Sequence, residues 1–405
     1  MKILFISQYY PPEIGAASNR IGFFAEYMAH KGHAVTVLTS APNYPGGKIY
    51  PGYGNRFSSE REKGVTLVRT KIFLTRKSNA ITRMLHYLSF FFGSFIAGAL
   101  ITRPDVIIAT SPPLFVGMAG VFFKKIWRRP FILDIRDLWP ESVESVGAVK
   151  NRRILKQAEK LARWIYRNAD RICCTSPGIQ KHLPPAAQNK TSIMPNGADL
   201  SLFSGDISGD GVRRRWNIQR KFVALYTGNI GLAQKPEVFI GAAEALKDDE
   251  EIVFLIVGAG VLLADLERSA REKKLTNIIF AGLEPRARMP EFVAAADVCI
   301  IPYKAADTFR NTLPSKMFDY MAGGKPVIIN LRGEASELLF RANAGILAEE
   351  EDPVSLARCI VELKNHPREA QKLGGAGKEF VEKFYRREAV AEQYEKVIMA
   401  AWKPT

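Results

Sequence analysis

The sequence predicts an α/β protein built as two doubly wound domains, each with a parallel sheet. Three observations carry this. Short apolar, β-branched runs alternate with longer helical patterns, the signature of βα units. The alternation restarts after Asp199. And 405 residues exceed what one hydrophobic core ordinarily serves.

In the first half the strand runs are Ile3 to Ser7, Ala34 to Thr39, Val65 to Arg69, Val106 to Thr110, Phe131 to Ile135 and Arg171 to Thr175. In the second they are Phe222 to Tyr226, Ile252 to Val257, Ile278 to Ala281, Val298 to Ile301 and Pro326 to Ile329. Between the halves lie Pro195-Asn196-Gly197-Ala198-Asp199 and then Gly205, Gly209 and Gly211, a turn-rich stretch that sets a hinge near residue 200. A final amphipathic helix runs from about Arg387 to Trp402 and can pack on either domain. The expected division is 1–200, 201–385 and a terminal helix in 386–405, with packing back on the first domain as one option.

A chain 47% hydrophobic and 24% charged is neither disordered nor collagen-like. Its four cysteines, Cys173, Cys174, Cys299 and Cys359, have no disulfide or zinc spacing, which fits a reduced cytosol. The net charge of +16 calls for an anionic partner. No helix-turn-helix, zinc-finger or RNP pattern supports nucleic acid. The opening Met1 to Ser7 is a strand, too short for a signal peptide. Leu85 to Ile101 (LHYLSFFFGSFIAGALI) reads as a buried helix in preference to a membrane span. A third reading lays its aromatic face in a membrane interface, with Arg76, Lys77 and Arg83 beside it. Asn151 to Asp170 is a basic amphipathic helix with Arg152, Arg153, Lys156, Lys160, Arg163 and Arg167; it covers a sheet, attracts anionic lipid, or does both, and Lys124, Lys125, Arg128 and Arg129 lie upstream.

Three motifs carry chemistry. Pro11-Pro12-Glu13-Ile14-Gly15-Ala16-Ala17-Ser18 follows the first strand and opens a helix, whose N-terminus attracts phosphate; Gly15 lets a ligand approach the backbone, although a tight packing turn explains it equally. Asp134-Ile135-Arg136-Asp137-Leu138-Trp139-Pro140-Glu141 crowds polar groups at the carboxyl end of a buried strand, where open α/β sheets bind ligands. Arg136 and Asp137 are the candidates there, against a structural ion pair. The strongest constellation is Arg310 to Val327, where Ser315 reads as a helix cap, Lys316 adds positive charge to the exposed N–H groups, and Asp319 offers a carboxylate to paired ribose hydroxyls. Val257-Gly258-Ala259-Gly260 lacks the third glycine of a dinucleotide fingerprint.

Together these segments resemble the family 4 glycosyltransferases of GT-B fold, two Rossmann-like domains facing each other across a cleft. The landmarks are PPEIGAAS, Gly32 to Val37, Pro195 to Asp199 with Phe203, Val257 to Gly260, Ala296-Asp297, and Asp319 to Val327. Arg136-Asp137-Leu138-Trp139-Pro140-Glu141 with Leu313-Pro314-Ser315-Lys316 looks most like the bacterial subgroup that builds O-antigen, capsule and colanic-acid-type polysaccharides, including N-acetyl-fucosamine-type aminosugar transferases.

The resemblance implies a UDP-sugar donor held by the second domain, retention of anomeric configuration, and no metal or other cofactor. Helix dipoles and basic residues would stabilise the leaving diphosphate. It assigns to donor binding Gly15, Gly228, Asn229, Lys235, Leu283, Glu284, Arg286, Asn311, Thr312, Leu313, Ser315, Lys316 and Asp319. Arg136 and Asp137 would orient acceptor or sugar, with no general base assigned. The acceptor would be a glycolipid or oligosaccharide on a lipid diphosphate, reached from the cytoplasm at an anionic membrane face.

The chain departs from the family pattern in three places. The paired glutamates fall on Asn311 and Asp319. The usual Arg and Lys fall on Asn229 and Gln234, leaving Lys235 one position late, so phosphate charge falls to Lys316, with Arg286 as second choice. The usual histidine of the first domain is Arg136. A nucleotide-sugar epimerase and a non-catalytic UDP-sugar-binding subunit are the rival readings.

Overall fold

A computed structural model describes residues 1–44, 46–74, 80–149 and 151–402. The cations expected at Arg76 and Lys77 lie outside the described residues. The chain forms two compact units, Met1–Pro195 with Glu388–Thr405, and Asn196–Arg387.

The first unit runs β1 (Lys2–Ile6), α1 (Ala16–His30), β2 (Ala34–Ser40), β3 (Ser58–Glu62), β4 (Val65–Thr70), α2 (Ala80–Gly98), β5 (Val106–Ser111) and α3 (Leu114–Trp127). It continues with β6 (Phe131–Ile135), α4 (Glu141–Ser145), α5 (Arg152–Asn168), β7 (Arg171–Cys174), α6 (Pro177–His182), α7 (Pro185–Gln188) and β8 (Thr191–Ile193). The eight strands form one sheet in the order β3-β4-β2-β1-β5-β6-β7-β8. All neighbours are parallel except β3, which pairs antiparallel with β4 as the edge. Side chains alternate between the faces: Leu4 and Ile6 enter one core cluster, Ile3 and Phe5 the other. Helices on both sides cover these cores, as a parallel sheet requires.

The second unit runs α8 (Asp210–Arg215), β9 (Phe222–Thr227), α9 (Glu237–Ala245), β10 (Ile252–Val257), α10 (Leu263–Glu272), β11 (Ile278–Gly282), α11 (Met289–Ala295) and β12 (Val298–Ile301). Then come α12 (Asp307–Arg310), α13 (Ser315–Ala322), β13 (Val327–Ile329), α14 (Glu334–Arg341), β14 (Gly345–Leu347), α15 (Pro353–Asn365) and α16 (Pro367–Phe384). Six parallel strands lie in the order β11-β10-β9-β12-β13-β14. The order reverses beside β9, the kind of switch point where open α/β sheets take ligands.

The terminal helix α17 (Arg387–Trp402) packs with the first unit. Its Val390, Ala391, Tyr394 and Ile398 join the core face that holds Phe24, with the Tyr394 and Phe24 rings 4.7 Å apart.

One buried ion pair ties α1 to its sheet. Arg20 grips Asp134 of β6 bidentately at 2.9 Å through both Nε and a terminal nitrogen, and both side chains are almost fully buried. Asp134 is therefore structural, whereas the polar residues after it lie beyond the strand end.

The segment expected as a buried helix is helical, but only in part buried. Within α2, Phe90 and Phe91 face the core, while Phe92 and Ile96 are each 62% exposed. Among the described residues, no helix is long and apolar enough to cross a membrane.

Candidate active site

In the second unit, Gly228 and Gly258 directly follow β9 and β10, and Gly282 ends β11. The ladder continues past the strands: Gly228 N–H donates to Val257 O at 2.8 Å and Gly258 N–H to Gly282 O at 2.7 Å. Gly228 and Gly258 have φ of +124° and +147°, which favour glycine. A Cβ on Gly258 would lie 1.9 Å from Gly228 O, so the two strand ends cross in contact. A Cβ on Gly228 would meet Lys316 Nζ at 3.1 Å.

Lys316 reaches this point from the first turn of α13. Its ammonium lies over the Tyr226 ring, 3.8 Å from the centroid, a cation–π contact. Among the described residues no carboxylate pairs with it, and burial pushes it down to about 7. Tyr320, one turn later, accepts the Thr227 N–H at 2.8 Å and so fixes α13 to the end of β9.

Ser315, expected to cap α13, is its first helical residue. Pro314 is the N-cap, with φ −67° and ψ 133°, and no side chain caps the helix. Proline suits this boundary because its ring fixes φ and it has no N–H to satisfy. The first-turn N–H groups thus lack a side-chain cap; that of Met317 donates to Pro314 O at 3.1 Å, which leaves those of Ser315 and Lys316 to meet an anion.

Asp319 and Arg286 face each other in a bidentate pair, at 2.8 and 2.9 Å. This commits Arg286 to a carboxylate rather than leaving it for phosphate. Each carboxylate oxygen keeps a further lone pair for a hydroxyl.

The other donor-site candidates divide by environment. Lys235 faces Glu351 at 3.6 Å. The Glu284 carboxylate is buried between Arg215 at 2.7 Å and Arg288 at 2.8 Å, while neighbouring Leu283 is exposed. The Asn229 carbonyl accepts the Tyr226 hydroxyl. Asn311 is the C-cap of α12, its amide donating to Asp307 O at 2.8 Å. The Thr312 hydroxyl donates to Phe309 O at 2.9 Å, and the Leu313 side chain is in the core.

In the first unit, Gly15 is the N-cap of α1, which has no side-chain cap and no acidic residue in its first turn. A Cβ there would lie 3.4 Å from the Tyr44 ring. The loop is held by Glu13, whose buried carboxylate accepts the N–H groups of Asn43 and Tyr44 at 2.8 Å and of Tyr10 at 3.1 Å. It thereby clamps the loop after β1 to the loop after β2. Burial pushes Glu13 up to about 7, with the backbone donors opposing the rise.

Arg136 and Asp137 lie just past β6. One Arg136 terminal nitrogen donates to Pro112 O at 2.6 Å, while its Nε is buried with no partner. Burial lowers the Arg136 pKa. It raises that of Asp137, against the pull of Arg136. Among the described residues the Asp137 carboxylate has no hydrogen-bond or ion-pair partner. Tyr9 and Tyr44 pack with ring centroids 5.1 Å apart. Burial raises both the Tyr9 and Tyr44 hydroxyls, and Arg136 opposes both shifts. These tyrosines and the Glu13 clamp were missed by sequence reasoning, as were Tyr226 and Tyr320. Only the proximity of Tyr226 to the strand-ending Gly228 offered a signal.

Among the described residues no group of three His, Cys, Asp or Glu is placed to hold a metal ion.

Comparison with known proteins covers both units. The family described as "Glycosyl transferase 4-like domain" matches residues 15–197, and "Glycosyl transferases group 1" matches 221–366. The chain is 29% identical over 344 residues to WcaI of Escherichia coli K12, a glycosyl transferase assigned to colanic acid biosynthesis, covering 81% of this chain and 83% of the relative. Its fold is similar to that of sucrose-phosphate synthase from Thermosynechococcus elongatus, with a TM-score of 0.76 at 19% identity, over 98% of each chain. It is also similar to Anabaena HepE in complex with UDP and glucose, with a TM-score of 0.73 at 16% identity, over 99% of this chain and 100% of the other.

Proposed function

Since the chain belongs to the family 4 glycosyltransferases of GT-B fold, we propose that it transfers an N-acetylated aminosugar from UDP, with retention and without a metal, to a lipid-diphosphate-linked surface polysaccharide. The observation that carries the donor half is Lys316: a half-buried ammonium with no carboxylate among the described residues, set against a glycine backbone beside an uncapped helix N-terminus. Such a cation is electrostatically incomplete, and a diphosphate completes it. Charge growing on the leaving diphosphate would strengthen the same contacts, which is how they would lower the barrier. Asp319, oriented by Arg286, would take ribose hydroxyls on its remaining lone pairs. UDP as the nucleotide draws support from the HepE structures, which hold UDP or UDP-glucose. The polysaccharide assignment draws support from WcaI and from TuaH of Bacillus subtilis, assigned to teichuronic acid biosynthesis and 28% identical over 49% of each chain.

Acceptor binding falls to the first unit. There Asp137, lacking a partner among the described residues, and Arg136, with its unpartnered Nε, have hydrogen-bonding capacity to spare, and Tyr9 and Tyr44 offer faces for a sugar. A membrane-borne acceptor is supported by the surface that α2, α3 and α5 share. Phe92, Ile96, Phe122 and Ile126 are exposed on it, Phe122 packs on Trp164, and Lys125 lies over Trp164. Aromatic and aliphatic side chains flanked by cations suit an anionic interface on the cytoplasmic side. Lys124 contributes less, being paired with Asp170.

The test is a panel of nucleotide sugars scored for UDP release with and without a lipid-linked acceptor. Acceptor-dependent release that falls in Lys316→Ala and Asp319→Ala supports the reading. Donor conversion without acceptor would indicate an epimerase, and binding without turnover a non-catalytic subunit.

A further inference from the structure

A second concentration of uncompensated positive charge lies in the first unit, on residues with no part in the candidate active site. Helix α5 buries Leu155, Ala162, Ile165 and Tyr166 against its sheet. Lys160, Arg163 and Arg167 follow at i, i+3 and i+7, so they share one helix face. With Lys190 they ring a hollow of about 480 Å³, floored by Tyr166, Pro184 and Ala187, and no carboxylate is among its lining residues. Among the described residues the side chains of Lys160, Arg163 and Arg167 make no hydrogen bond or ion pair.

The fourth cation is fixed by the fold. Lys190 donates to the carbonyls of Arg167 and Ala169 at the C-terminal end of α5. Lys124 donates to Asn168 O at 2.9 Å. Carbonyls that would otherwise repel an anion are thereby matched with positive charge. Three neighbouring cations on one face repel one another until a counter-charge enters. The two guanidinium forks suit a tetrahedral oxyanion. The floor of Tyr166, Pro184 and Ala187 suits carbon rather than more charge.

We propose that this hollow is a phosphate-ester site, with the phosphate on Lys160, Arg163 and Arg167 and the esterified carbon group on Tyr166 and Pro184. Two sources present this chemistry, a phospholipid headgroup and a soluble phosphate ester. The site stands independently of the transferase reading.

The test uses the full chain with excess UDP, so that the donor site does not contribute. K160Q/R163Q/R167Q is compared with R152Q/R153Q/K156Q, which removes the same charge from the same helix outside the hollow. Circular dichroism confirms that both fold. A companion variant, R163K/R167K, keeps the charge and loses the forks. Calorimetric titration with glycerol 3-phosphate is expected to show saturable binding, weakened about tenfold or more in the first triple and about twofold or less in the second, with the lysine variant between. Sedimentation with phosphatidylglycerol vesicles, against phosphatidylcholine, identifies the source. A loss specific to the first triple makes it the lipid headgroup; vesicle binding equal in both triples, with glycerol 3-phosphate still specific to the first, makes it a soluble ester. The proposal is overturned if glycerol 3-phosphate does not saturate, or if the two triples weaken its binding equally, because the charge would then act diffusely.

Discussion

Lys316→Met removes an ammonium that burial holds at about 7, against an ordinary 10.5. Between those values the unfolded chain keeps the lysine proton and the folded chain releases it. The unfolded state then binds more protons, so the destabilisation from this group is full below about 7 and fades as pH rises toward 10.5. At ~1.4 kcal/mol per pH unit, the gap sets a ceiling of roughly 5 kcal/mol. Partial contact with water lowers it, and the Tyr226 face returns ~0.5–1 kcal/mol. The ligand-free variant should therefore be more stable than wild type by about 2–3 kcal/mol near pH 7, and by little near pH 10. Urea denaturation at both values measures this.

The same substitution should damage binding. Loss of one charge-assisted contact to the diphosphate costs about 1.5–3 kcal/mol, or roughly ten- to a hundredfold in UDP affinity. In the wild type, UDP should bind more weakly as pH rises above about 7, because the diphosphate selects the protonated lysine. In the variant that slope should vanish. Calorimetric titration with UDP reads both effects. A variant less stable at neutral pH that still binds UDP normally would refute the reasoning, because Lys316 would then be a packing residue and not a reserved cation.

Further substitutions probe the supports within each unit. Gly258→Ala would set a Cβ 1.9 Å from Gly228 O; a loss of about 2 kcal/mol or more in denaturation, with weaker UDP binding, is expected. For Glu13, raised from 4.5 to about 7 by burial, the folded chain holds a proton between those values that the unfolded chain has lost. Wild-type stability from this group therefore falls as pH rises through that window, and Glu13→Gln should gain on the wild type by up to about 3 kcal/mol between about pH 5 and about pH 8; a constant difference in urea midpoint would count against it. Arg20→Met should cost about 3–5 kcal/mol by stranding Asp134, and Asp134→Leu added to it should recover most of that loss.

The fold was legible where strands are buried on both faces. IVFLIV of β10 is a continuous apolar run and VIIATS of β5 opens with one, turn-forming residues bound both, and each is a fully buried strand. Three strands were not legible. β3 reads SSERE, almost wholly exposed at an antiparallel edge, where no burial imposes a pattern. β8 and β14 are three residues each, too short for any period to show. At the candidate site, positions set by local geometry could be read from sequence: Gly15 before α1, and Lys316 in the first turn of α13. Contacts between distant segments could not. Asp319 meets Arg286 across 33 positions, and Glu13 binds main-chain N–H groups about 30 residues on, partners that leave no trace in side-chain identity.

The pairings also change how the departures from the family pattern bear on donor binding. With Asn229 and Gln234 in place of charged residues, three cations remained as phosphate ligands by sequence: Lys235, Arg286 and Lys316. The structure sets the first against Glu351 and commits the second to Asp319, and it leaves Lys316 over an aromatic ring with no carboxylate among the described residues. In the proposed donor site, recognition of the diphosphate would thus concentrate on one side chain and the main-chain N–H groups of α13. Main-chain donors do not titrate and are not removed by substitution, so the pH dependence and the mutational sensitivity of donor binding should both be carried by Lys316. An Arg at this position would keep its charge at every accessible pH. Lys316→Arg should therefore bind UDP without the decline above about pH 7, provided that Tyr226 can take the larger guanidinium on its face.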